Sequence, residues 1–297
     1  MIGFASPAAW YTAIVGAVAL LCTTMSSAQR LIVVSSSDSP PYQRALTGIQ
    51  KQGRPVEALR IDAENAAAVL ARAGRDAAIV TLGAQASDMV ARAGATTTVV
   101  NCMVLGADRV PPGTRVVPLD IPVETRIMWM RRLLPKARNV GILFDPAQNE
   151  RRAAEEAEGL RRAGYAAILE PITGPTALPN ALTRLTNSID VLHAIPDTTV
   201  FAREHARALL LFSFRNHVPL TGPTEAWVSA GALYAIDWDY ADLGRYCAAL
   251  ALHQLGGGRT APPTPARTRV IANLRSAEQL RIKWDDETRR MIDQVFE

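Results

Sequence analysis

Cysteine is scarce in this 297-residue chain: Cys22, Cys102 and Cys247 are the only three, and no two form a Cys-x-x-Cys pair. The four histidines, at 193, 205, 217 and 253, are equally dispersed, and His-Glu-x-x-His is absent. These absences argue against a structural or catalytic metal, which needs three or four ligands held at short spacings. Gly-x-Ser-x-Gly is missing too, and no Ser-His-Asp or Cys-His order has supporting context, so a nucleophilic enzyme is not indicated. The glycines at 256–258 lead into Arg-Thr-Ala-Pro-Pro rather than a helix, which rules out a phosphate-binding turn. No cofactor is expected.

Blocks of one charge are also lacking. The formal net charge is +4, but basic and acidic residues alternate, as in RRAAEEAEGLRR at 151–162. That pattern reads as a solvated surface and not as a nucleic-acid footprint. Residues 1–29 carry no charge at all and include the run WYTAIVGAVALLCTTM before Ser26-Ser27-Ala28. An apolar stretch of that length ending in small residues predicts a secretory signal peptide, 1–28, cleaved after Ala28. A lipid-anchored or uncleaved N-terminus is the alternative. No other segment approaches ~18 uninterrupted apolar residues, so no membrane span is expected beyond the leader and a periplasmic location follows. Cys102 and Cys247 sit in apolar runs, VVNCMVL and GRYCAALA, which predicts buried free thiols rather than a disulfide.

At roughly 150 residues per domain the length predicts two. Short apolar segments alternate with amphipathic ones: strands at 31–37, 55–62, 76–83 and 96–105, with helices ending near Gly53, Gly74 and Gly94. A Pro- and Gly-rich loop at 106–115 then precedes an extended piece, with Leu119–Ile121 as a hinge strand stiffened by Pro118 and Pro122. Further strands are expected at 139–145, 166–172, 190–195, 218–221 and 232–237. Helices are expected at 149–163 with Asn149 as cap, at 176–187, 200–215 and 240–255. Strands alternating with helices predict an α/β protein with parallel sheets, whose working loops lie at the carboxyl ends of the strands. The divisions expected are 29–118, 119–238 and a segment 239–297 returning across the hinge.

The runs GILFDP at 141–146, DTT at 197–199, PLTGPTEAWVSAGALYAIDWDYADLGRYCAALA from Pro219 and VIANLRSAEQL from Val270, in that order, resemble ABC-transporter substrate-binding proteins of the tryptophan/tyrosine-uptake type. The resemblance covers about residues 120–297, and 30–118 more loosely. It implies a type I periplasmic-binding fold, two Rossmann-like lobes joined by a hinge, with a small-molecule ligand between them and an ABC permease in the inner membrane as partner. A ligand-sensing module reporting to a membrane receptor or kinase is the alternative duty of the same fold.

Six strand-to-helix junctions should face the cleft, because helix N-termini offer unpaired N–H groups. They supply the candidates Ser36, Ser37, Tyr42, Gly83, Ala84, Gln85, Met103, Asp145, Asp197, Thr198, Thr199, Thr224 and Glu225, joined by Asp237 beside the hinge. Gly83-Ala84-Gln85 stands where the family resembled has Gly-Thr-Pro, Leu105-Gly106-Ala107 where it has Asp-Pro, and Thr224 where it often has Asp. The lost hydroxyl at Ala84 removes a partner for a ligand carboxylate. Glu225 is the candidate counter-charge for a ligand ammonium. His193, inside an apolar strand, reads as a satisfied core residue.

Overall fold

A computed structural model describes residues 29–62, 66–106, 110, 114–174, 176–259 and 261–297. The expected leader, Cys22, and Ala107 with most of the Pro-rich loop lie outside the described residues. The first lobe is built from β1 (Arg30–Ser35), α1 (Pro40–Gln50), β2 (Val56–Arg60), α2 (Ala66–Ala71), β3 (Ala77–Leu82), α3 (Ala84–Arg92), β4 (Thr98–Val104) and β5 (Arg115–Pro118). Its strands are all parallel in the order β2-β1-β3-β4-β5. Alternation along β1 explains the two covered faces: Leu31 and Val33 join the core under α1, while Ile32 and Val34 join the core under α2 and α3.

The second lobe follows with α4 (Val123–Leu133), β6 (Asn139–Phe144), α5 (Pro146–Arg162), β7 (Ala166–Pro171), α6 (Ala177–Leu185), β8 (Val191–His193), a 3₁₀ turn at Arg203–His205, α7 (Ala206–Asn216), β9 (Thr221–Gly222), α8 (Glu225–Ala230) and β10 (Tyr234–Trp238). Helix α9 (Tyr240–Leu255), β11 (Thr268–Asn273), α10 (Leu274–Gln279), α11 (Asp286–Arg290) and β12 (Gln294–Phe296) complete the chain. Strands run β7-β6-β8 and β12-β11-β10-β9, and a parallel bridge from Leu192 to Leu220 connects the two sets. Among the described strands only the β10–β11 pairing is antiparallel.

The chain passes between lobes three times: through 119–122, at Trp238-Asp239, and through the stretch before β11. Helix α9 therefore packs on the first lobe, with Leu243, Cys247, Ala248 and Ala251 in the core of β1, β3 and β4. It crosses α1 at backbone contact. A Cβ on Gly48 would lie 1.9 Å from the Ala241 carbonyl oxygen, and one on Gly244 would lie 1.9 Å from that of Ala45. Neither position has room for any side chain.

Four local expectations are corrected. Cys102 and Cys247 form a disulfide, because α9 lies against the end of β4, a long-range contact that neither apolar run announces. Gly53 and Gly94 are left-handed after their helices (φ 66° and 64°), but α2 ends at Ala71, before Gly74. Asp145, not Asn149, caps α5, accepting from the Ala147 N–H at 3.0 Å; Asn149 lies inside the helix at a non-helical kink (φ −133°, ψ 15°). The expected hinge strand at Leu119–Ile121 is irregular, because β5 ends at Pro118 and the chain then turns toward α4. Among the described residues no helix is long and apolar enough to cross a membrane, and no His, Cys, Asp and Glu cluster could hold a metal ion.

Candidate functional site

In each lobe the strand order reverses beside the first strand, between β1 and β3 and between β6 and β8, and loops leaving such neighbours open a crevice. In the first lobe this brings the loop after β1 against Gly83. The Ser36 hydroxyl accepts from the Ala86 N–H at 2.9 Å, and a Cβ at Gly83 (φ 92°) would come within 2.7 Å of Ser36 Oγ and 2.8 Å of the Tyr42 hydroxyl. In the second lobe it brings Asp145 against Asp197, whose Oδ2 accepts from the Asp145 N–H at 2.7 Å.

Asp197 is a buried structural acceptor. Its Oδ2 also accepts from Asn149 Nδ2 (2.9 Å), and its Oδ1 accepts from the N–H groups of Thr199 (3.0 Å) and Val200 (2.9 Å). Gln148 ties the neighbouring groups together. Its Nε2 donates to Asp145 Oδ2 and to Thr199 Oγ1, the Thr199 hydroxyl donates to Asp145 Oδ2 at 2.8 Å, and the Thr198 hydroxyl donates to Gln148 Oε1 at 3.3 Å. The Thr199 hydroxyl, followed by the Ala147 N–H and Gln148, holds the Asp145 carboxyl below its ordinary range.

Between the lobes lies a cavity of about 430 Å³. Leu105, Leu119, Ile121, Trp238 and Tyr240 close it on the side of the first lobe and its crossings, and the second lobe supplies the rest. Apolar walls come from Ala194, Ala235 and Ile236 and from Phe201 and Trp227, whose rings meet edge to face at 5.3 Å. Trp238 is fixed by donating its Nε1–H to the Leu119 carbonyl at 2.8 Å.

Two arginines line the cavity, and both are paired. Arg152 donates from Nε and Nη2 to Asp120 Oδ1 at 3.1 and 2.8 Å, and Asp120 Oδ2 accepts from the Gly106 N–H of the first lobe at 2.8 Å. Arg126 binds the buried carboxylate of Glu156 through Nε (3.1 Å) and Nη2. His193 Nε2 is 2.9 Å from Glu156 Oε1, its Nδ1 is 3.2 Å from Thr221 Oγ1, and Thr221 Oγ1 accepts from the Ala194 N–H. One proton arrangement satisfies all these atoms: Nε2–H donates to Glu156 and the Thr221 hydroxyl donates to Nδ1. Burial opposes the Glu156 charge, but His193 and then Arg126 outweigh it and hold the carboxyl below its ordinary value. His193 is a satisfied interior residue as well as part of the wall.

Asp237 has a different balance. Its Oδ1 accepts from the Trp238 N–H and the Tyr240 hydroxyl, both at 2.8 Å, yet burial, with a smaller push from Glu225, raises its pKa against the help of Tyr240, Trp238 and the Glu225 amide. The same carboxylate adds to burial in raising Tyr240. Tyr234, 2% exposed and lining the cavity, has a hydroxyl without a hydrogen-bond partner, and burial raises its pKa.

Of the sequence candidates, Asp197, Thr198, Thr224 and Asp237 line the cavity. Ser36, Tyr42 and Gly83 come together outside it, with Tyr42 near enough to help raise the Tyr240 pKa. Ser37 accepts from the Ser39 N–H in the same loop; Ala84 and Gln85 are exposed at the start of α3. Met103 is buried in the first-lobe core, at a register shift between β4 and β5. Asp145 and Thr199 bond to each other, and Glu225 accepts from Gln294 Nε2 (2.8 Å) and pairs with Arg44 of α1 (3.5 Å), spanning the two lobes. Sequence reasoning missed Asn149, Arg126, Arg152, Glu156, Phe201, Trp227, Tyr234 and Tyr240. A usable signal existed in part, since Trp227, Tyr234, Trp238 and Tyr240 crowd one short stretch of a chain only 6% aromatic.

Solved structures share this architecture. A ligand-free, open substrate-binding protein with adhesive properties from Clostridium difficile has a TM-score of 0.70 at 16% identity, covering 90% of this chain and 99% of that one. An ABC domain in complex with L-Trp from Streptococcus pneumonia has 0.62 at 16% identity, covering 91% and 100%. A sugar-binding protein of a sugar ABC transporter from Bacillus halodurans has 0.57 at 14% identity, covering 86% and 99%. At these identities the likeness is one of fold, the two-lobed type I periplasmic-binding fold. No curated protein matches the sequence. The model of the family described as ABC transporter substrate binding protein matches residues 56–295, and the chain belongs to that family.

Proposed function

We propose that this protein is the periplasmic solute-binding component of an ABC importer, holding one small polar or amino-acid-like molecule between its lobes and presenting it to an inner-membrane permease. The observation that carries this reading is the cavity itself. Its volume of about 430 Å³ falls in the range of small-molecule sites, and its walls combine aromatic surface with a few fixed polar groups. The candidate contacts are Thr198, Thr224 and Asp237, with Ser36, Tyr42, Gly83 and Ala84 joining from the first lobe on closure about the hinge at 119–121. The lobes of that motion are 29–118 and 119–238, with 239–297 returning to both. The polar groups are arranged for binding and not for turnover: His193, Glu156 and Arg126 satisfy one another, and Asp197 is saturated by N–H donors.

Titration with amino acids, amines, sugars and small acids is expected to raise the melting temperature with one class, by mass action on the folded state. Small-angle scattering with that ligand is expected to show a smaller radius of gyration. A protein whose stability and dimensions respond to no member of the panel is not a solute carrier of this kind.

A further inference from the structure

The charges around the cavity do not balance in the way a zwitterionic guest requires. A guest carboxylate is favoured by an uncommitted cation or by free N–H groups at a helix start, and among the described residues both arginines in the walls are held by acids, Arg152 by Asp120 and Arg126 by the buried Glu156. The walls contain two further carboxylates. Asp197 has two N–H donors on each oxygen and no acceptor site left for a guest. Asp237 is less filled: on Oδ1 it accepts one N–H and one O–H, the Glu225 amide adds one more bond, among the described residues no cationic side chain pairs with it, and the Glu225 carboxylate next to it is a second acid. Of the cations beside that acid pair, Arg44 is paired with Glu225, and Arg269, across from Asp237 on β11, donates to Gln294.

Aromatic surface surrounds this excess negative charge. Phe201, Trp227, Trp238, Tyr240 and Tyr234 all line the cavity, and the faces of such rings attract cations with a strength that grows as water is excluded. The unpartnered Tyr234 hydroxyl is an independent sign that the site is incomplete as it stands, because buried polar groups ordinarily have partners.

From this we infer that the guest is an organic cation, a small molecule whose ammonium or guanidinium group is neutralised by Asp237 while its apolar body packs on Trp227, Phe201 and Trp238. The inference rests on the solute-binding reading and names the ligand class for the same site.

The test compares choline, agmatine and putrescine with L-tryptophan, L-leucine, D-arabinose and succinate by calorimetry and thermal shift on the purified protein. At least one cation is expected to bind, and Asp237→Asn is expected to weaken it tenfold or more. The unliganded variant is expected to melt within a few degrees of the parent at neutral pH, because Asn still accepts from Trp238 and Tyr240, and the lost bond from the Glu225 amide is offset by no longer burying a charge. Lowering the pH should weaken the cation in the parent alone, as protons neutralise Asp237, the charged and titratable groups that face it being Tyr240 and Tyr42, Glu225 on α8, Arg44 on α1 and Arg269 on β11. Binding of a zwitterion, sugar or acid without any cation overturns the inference and leaves solute binding standing. Cation binding unchanged in Asp237→Asn overturns the role of Asp237, and silence from every probe overturns both readings.

Discussion

The Asp197 side chain accepts two hydrogen bonds on each oxygen, a pattern that an amide cannot reproduce. In Asp197→Asn the –NH₂ must face either the Asp145 and Asn149 donors or those of Thr199 and Val200, so two bonds become donor against donor. The substitution is expected to cost roughly 2–3 kcal/mol, read by urea denaturation, at the rate of about 1–1.5 kcal/mol for each lost bond. Glu156 makes the complementary case. Its folded pKa lies below the ordinary 4.5, so its stabilising contribution is full above that value and disappears as pH falls through the depressed one. Glu156→Gln should destabilise at pH 7 by on the order of 3 kcal/mol, because Arg126 loses its charge partner. Below pH 4.5 the gap between variant and parent should narrow, a trend that melting temperatures across the acid range would check. At this scale the sequence was only partly legible. Helix-start chemistry pointed to Asp197, Thr198 and Thr224, but nothing local said that Arg126 and Arg152 would be consumed by Glu156 and Asp120, acids 30 and 32 residues away.

Elements were read more completely, because each β/α unit carries its own pattern. The alternation of Leu31, Ile32, Val33 and Val34 between two cores is visible in the run itself, and so is the amphipathic face of α5. What escaped was decided by other elements. Gly48 and Gly244 read locally as weak helix positions, yet they are where α1 and α9 touch backbone to backbone. Gly48→Ala or Gly244→Ala is expected to push the helices apart and cost about 3 kcal/mol, near the upper end of ordinary overpacking. Alanine's better helix propensity recovers only about 1 kcal/mol. Denaturant midpoints of both variants, and of the pair, would show it. Sub-additive losses in the double variant are expected, since both substitutions widen one crossing.

At the scale of the whole molecule, one covalent link ties together parts of the chain 145 residues apart in sequence, Cys102 in β4 and Cys247 in α9. Cross-linking a loop of that length restricts the unfolded chain, and removal of such a link typically costs about 2–4 kcal/mol. Cys102→Ala with Cys247→Ala, or reduction of the parent, is expected to lower the melting temperature by several degrees in calorimetry. The fold class was open to sequence reasoning because strand and helix alternate from Leu31 onward. The pairing was not, because it depends on the late helix joining the early lobe. The Arg44–Glu225 ion pair, half exposed on the Arg44 side, is the kind of contact that screening by salt weakens, and it bridges the two lobes, whereas the disulfide lies within the first.

Helix α9 covers the first lobe's sheet although it lies far downstream of β5. During synthesis the leading half of the polypeptide emerges with Leu31, Val33, Val80 and Val100 lacking part of their cover, and it waits for the trailing half. Maturation therefore cannot proceed strictly lobe by lobe from the amino end: the first lobe to be begun is closed only after most of the second has been made.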